Sequence, residues 1–165
     1  MRSLLLAACL IGLPTYAMAS PNAFTPQIVG CNGGAPTAYT FQFGTYEKVT
    51  DGLVHFHFGI GIAGKGTMSG ICTGIALPVI PSASKLTAEP SPGVDVGSCN
   101  IYWHSNIKLG VGFYTLVAFV GPDDDQAFLY EQGPNVTSDN LPISALGSNT
   151  MIYGDCWYRV DENTY

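Results

Sequence analysis

Charge is what this chain has least of: 11% of its 165 residues are Asp, Glu, Lys or Arg, against about a quarter in an ordinary soluble domain. Six Lys and Arg against twelve Asp and Glu give a formal net charge of −6. No basic run is present, which excludes a surface that binds nucleic acid by displacing counterions from phosphates. Disorder needs low hydrophobicity and high charge, whereas 47% of this chain is hydrophobic. Helical patterning is missing too: after residue 20 no window of eleven or more residues carries apolar side chains at 3.6-residue spacing. No apolar run approaches the ~20 residues of a membrane-spanning helix, so no membrane insertion is expected. No Ser sits on a Gly-x-Ser-x-Gly elbow and no Cys is placed with His and Asn for nucleophilic catalysis.

Met1-Arg2-Ser3, the ten-residue apolar run Leu4 to Leu13, and Ala17-Met18-Ala19 before Ser20 have the charge, length and small-x-small site of a secretory signal peptide. Residues 1–19 are therefore read as a leader and 20–165 as one secreted, extracellular or periplasmic domain. Four cysteines remain in that domain, Cys31, Cys72, Cys99 and Cys156. An even count in an exported chain indicates two disulfides, with three pairings open. No two of the four lie at the short spacing of a zinc knuckle.

What the chain does have is alternation. A strand is expected over Leu53 to Ile62, where Val54, Phe56, Phe58, Ile60 and Ile62 alternate with His55, His57, Gly59 and Gly61, the period of a half-buried strand. Tyr39, Phe41 and Phe43 alternate before it, and Thr50-Asp51-Gly52 supplies a hairpin turn. Further strands are expected at Ile71 to Leu77, Asn100 to Ile107, Gly112 to Val120, Gln126 to Glu131 and Met151 to Val160, with a Pro/Ser-rich loop from Val79 to Gly97. Short strands with turn signals every dozen residues or so predict an all-β, antiparallel β-sandwich or barrel.

Gly44-Thr45-Tyr46-Glu47-Lys48, Gly52-Leu53-Val54 with its alternating strand, a Gly-rich turn and Gly74-Ile75-Ala76-Leu77-Pro78 follow one another in order. At the far end Leu141, Pro142, Leu146, Asn149 and Thr150 precede Ile152-Tyr153-Gly154 and Tyr158-Arg159-Val160. This series, from Gln42 to Val160, resembles the C-terminal jelly-roll domain of bacteriophage tail fibres. The resemblance implies a TNF-like sandwich, a homotrimer, and a non-enzymatic receptor-binding role toward a cell-surface glycan or protein. The leader and the even cysteine count point to export, so a free secreted relative and a virion protein are both compatible settings. The alternatives are a secreted structural or virion-assembly protein without a small ligand, and a metal-dependent enzyme using His55, His57 and His104.

Sugar rings stack their apolar faces on exposed Trp or Tyr. Trp103, His104, Tyr130 and Asp125 are the candidate ligand-binding residues, with Asn106 as a polar neighbour. Alternation is expected to send one of Tyr102 and Trp103 inward. Asp123-Asp124-Asp125 is a candidate calcium turn, although such ions want six to eight oxygens. Glu47, Glu89, Glu131 and Asp95 are the carboxylates available for acid/base work. Neither a cofactor nor a resident metal is expected. Asn135-Val136-Thr137 is a glycosylation sequon, meaningful in a eukaryotic producer.

Overall fold

The computed structural model describes residues 21–49, 52–82, 96–110, 115–133 and 139–160. The candidate leader, Glu89, Asp95, the sequon and most of the Pro/Ser-rich loop lie outside these residues. The fold is all-β, as expected. Ten strands form one antiparallel sheet: β1 (Asn22–Phe24), β2 (Ile28–Gly30), β3 (Tyr39–Lys48), β4 (Leu53–Ile62), β5 (Thr73–Ala76), β6 (Gly97–Ile107), β7 (Thr115–Val120), β8 (Gln126–Gln132), β9 (Asp139–Asn140) and β10 (Leu146–Arg159). Their order across the sheet is β1-β3-β4-β10-β6-β7-β8-β5-β2, with β9 pairing β8. A 3-10 turn, Ile143–Ala145, precedes β10.

The two edges of this sheet, β1 and β2, are separated by residues 25–27 alone. Three residues reach about 10 Å at most, so the sheet must curl until its edges meet. Pro26, buried at that seam, accepts a hydrogen bond from the Gln42 side chain of β3 at 2.7 Å. The next carbonyl, Gln27, accepts from the Ala76 N–H at the end of β5 at 2.8 Å. The result is a curled, sandwich-like enclosure with one core.

The alternation read from β4 is realised residue by residue: Val54, Phe56, Phe58, Ile60 and Ile62 are all buried. They meet Ile152, Cys156 and Tyr158 of β10, Leu116, Ala118 and Val120 of β7, Leu129 of β8 and Ile75 of β5. Two cysteine pairs lie at bonding distance. Cys99 and Cys156 face each other directly across β6 and β10, with Cα atoms 3.9 Å apart. Cys31 and Cys72, 5.5 Å apart at Cα, tie the ends of β2 and β5. The long β10 is the spine, bonded to β4 on one side and β6 on the other.

Candidate functional site

The outer face of β3, β4, β10 and β6 carries the concentration of exposed aromatic side chains. On β4 the outward positions are His55, His57, Gly59 and Gly61. Register places Phe43 of β3 and Tyr153 of β10 on either side of Gly59, and Phe41 and Met151 on either side of Gly61. The glycines are what let the rings lie down: a Cβ at Gly59 would collide with Phe43 and Tyr153, and one at Gly61 with Phe41. The Gly59 and Gly61 stretch of β4, with no side chains of its own, thus becomes the floor under its neighbours' rings.

On β6 the register shifts between the Tyr153 and Gly154 steps. This bulge inserts one extra residue and breaks the alternation. Neither Tyr102 nor Trp103 points into the core; they are 51% and 46% exposed, which corrects the expectation that one of the two turns inward. Trp103 packs edge-on against Tyr153 at 5.2 Å between ring centroids, and Phe41 and Phe43 sit at 5.4 and 5.8 Å from the same ring. Tyr102 stacks parallel to His57 at 6.1 Å. Tyr102, Trp103 and Tyr153 line a shallow depression of about 290 Å³. Desolvation first, and then the neighbouring Asp155 and Tyr153, hold the Tyr102 phenol above its ordinary pKa, so its hydroxyl remains a hydrogen-bond donor.

Toward the other end of the face, His55 stacks on Trp157 at 4.1 Å with the planes 9° apart. Its Nδ1 lies 3.4 Å from a Glu47 oxygen and its Nε2 3.6 Å from an Asp155 oxygen. Glu47 and His55, with Thr45, Tyr46 and Pro21, line a second depression of about 170 Å³.

Of the four ligand-binding candidates from the sequence, Trp103 is the one in this cluster. His104 pairs with the inward-facing Ile152 and so takes the opposite face of the sheet from Trp103. For the same reason it does not join His55 and His57, which are outward. Among the described residues no group of three or more His, Cys, Asp or Glu is placed to hold a metal ion. Tyr130 lies on β8, edge-on to Phe119 at 5.5 Å. Asp125 is exposed in the β7–β8 turn, beside the Gln126 amide at 3.4 Å. Asn106, with a positive φ of 56°, donates to the Asn149 carbonyl. Glu131 accepts the Gly110 N–H and does not meet Glu47. Tyr153, Phe41 and Phe43, which are not among the binding candidates read from the sequence, make up much of the face. Two outward glycines in a strand were the available signal.

Asp124 turns back into its own loop and accepts the Gly121 N–H at 2.8 Å. Desolvation outweighs that bond, and the Asp125 and Asp123 carboxylates add to it, so its pKa is raised. A carboxyl that holds its proton more tightly when folded stabilises the fold most at low pH. That contribution is lost as pH rises from 3.8 through the folded value. Asp124→Asn keeps the acceptor and removes the charge, and is expected to raise Tm by about 1–2 °C at neutral pH and by nothing in acid. An equal gain at both pH values would contradict this cause.

No family model matches the chain, and no curated protein does. Among solved structures, the crystal structure of the Dettilon tailspike protein superposes with a TM-score of 0.61 at 16% identity. The match covers 84% of this chain and 23% of the tailspike chain, so this chain corresponds to less than a quarter of that protein's length. At this identity the likeness is one of fold: the chain shares its all-β architecture with part of a phage tailspike.

Proposed function

We propose that this chain is a receptor-binding β-domain of the phage-tail type, non-enzymatic, which holds a cell-surface glycan on the outer aromatic face of β3, β4, β10 and β6. The observation that carries the reading is the depression lined by Tyr102, Trp103 and Tyr153 on a paired-strand scaffold. Flat, exposed rings bury the apolar face of a sugar, and polar neighbours orient it. Asp155 and the exposed Asn100 lie directly opposite one another beside the rings. The shared fold with a tailspike supports the setting, and the two cysteine pairs at bonding distance suit an extracellular or virion-associated place.

A glycan array probed with wild type and Trp103→Ala tests this. Wild type is expected to bind a discrete set of glycans, and the variant, with an unchanged melting curve, to lose at least about tenfold in affinity, or ~1.4 kcal/mol. Undiminished binding by the variant would overturn the reading. We also propose a homotrimer, in which three weak sites act together on a displayed glycan. Light scattering on residues 20–165 is expected to give three times the single-chain mass, and one chain's mass would contradict the trimer.

A further inference from the structure

The two ends of the aromatic face differ in charge. Among the described residues no carboxylate lines the depression at Tyr102, Trp103 and Tyr153, and Asp155 lies between the two ends, opposite His57. The other end sets Glu47 and Asp155 on the two nitrogens of His55, at 3.4 and 3.6 Å. A neutral imidazole donates one N–H and accepts at the other nitrogen, so it satisfies one carboxylate and turns a lone pair toward the second. An imidazolium satisfies both and leaves the trio one negative charge in excess. In either state the trio is net negative. Trp157, 44% exposed and stacked on His55, adds an electron-rich ring beside it, which also favours a cation.

Among the described outward positions of these four strands one Lys or Arg occurs, Arg159, in the last register step of β10, beyond Trp157. At the Glu47 end the two carboxylates outnumber this one outward cation, and among the described outward positions no Lys or Arg lies beside the rings to take a sugar carboxylate or phosphate. Four strand residues separate Gly59, beneath the rings, from His55, which is about 13 Å at ~3.3 Å per residue. A single sugar ring does not reach between them; a short oligosaccharide does.

Resting on the glycan reading above, we infer that the ligand is an amino-sugar-containing oligosaccharide. One ring stacks at Tyr102, Trp103 and Tyr153, and a protonated amine further along the chain meets Glu47 and Asp155. Anionic glycans are rejected. The probes are chitosan tetramer, chitin tetramer and tetragalacturonate, titrated calorimetrically in mildly acidic buffer where sugar amines carry a proton.

The chitosan tetramer is expected to bind at least about tenfold more tightly than the chitin tetramer, and tetragalacturonate not at all. Glu47→Gln, near-isosteric and at the end of the face away from the rings, is expected to cut the difference at least about threefold while leaving chitin binding and the melting curve unchanged. Equal affinity for the chitin and chitosan tetramers, tighter binding of tetragalacturonate, or a preference undiminished by Glu47→Gln would overturn the inference and leave the aromatic site standing. Failure of all three probes alongside a neutral-glycan array that does bind would also overturn the inference alone. Silence across both would remove the glycan reading with it.

Discussion

Replacing Cys99 and Cys156 together with alanine is expected to cost about 4 kcal/mol of folding stability, the chain-entropy value for a loop of this size. The two residues are 57 apart in sequence and directly opposed across β6 and β10. Without the bridge, the unfolded chain regains the freedom to separate them, and the folded chain still has to pay for bringing the long β10 beside β6. Both cysteines are buried, so alanine leaves an apolar gap and no unsatisfied polar group. The loss appears as a lower midpoint in denaturant with the native state otherwise intact, measured by circular dichroism or fluorescence. A shift worth less than ~1 kcal/mol would mean that the register of β6 on β10 already confines the unfolded ensemble.

Phe56→Ala is expected to cost about 3–5 kcal/mol, as for other buried aromatic truncations. Phe56 is fully buried at the centre of β4. Its ring stacks on Phe58 at 5.2 Å and receives Phe24 edge-on at 5.4 Å. Phe24 is the last residue of β1, the edge strand that brings the sheet to its seam. The substitution therefore removes a core ring and also the contact that seats β1. Hydrogen exchange is expected to show amides of β1 losing protection before those of β4 and β10. Uniform loss of protection across the sheet would show that β1 is not held by this contact. Set against a typical total of about 5–15 kcal/mol, either substitution leaves a marginal fold.

The legibility of this fold in its sequence followed strand length. β4 is legible over Leu53 to Ile62 because the nine residues from Val54 onward alternate strictly and leave no second period. β3, β6, β8 and β10 were each located by their cores and ended within a few residues of the expected limits. β1, β2 and β9 have two or three residues each. That is too few for any periodicity, and they exist because long-range neighbours supply their hydrogen bonds.

The site was less legible than the fold for the same reason. Trp103 stood out by type, but Tyr153, Phe43 and Phe41 gather around it through cross-strand register, which no local pattern encodes. Tyr102 joins them because of a bulge. His104, adjacent in sequence to Trp103, is on the other face, since alternation resumes past the bulge. The pairing of the cysteines was equally out of reach until the register of β6 on β10 was known.

The most direct test of the central claim is nuclear magnetic resonance of the uniformly labelled chain, titrated with the glycan that an array selects. The chain has two Trp, both on the outer aromatic face, so two indole N–H signals report on it separately. The Trp103 indole and the backbone amides around Tyr102 and Tyr153 are expected to shift most. Saturable binding that leaves those signals in place, with shifts confined to Asp125, Tyr130 and their neighbours on β7 and β8, would contradict the claim.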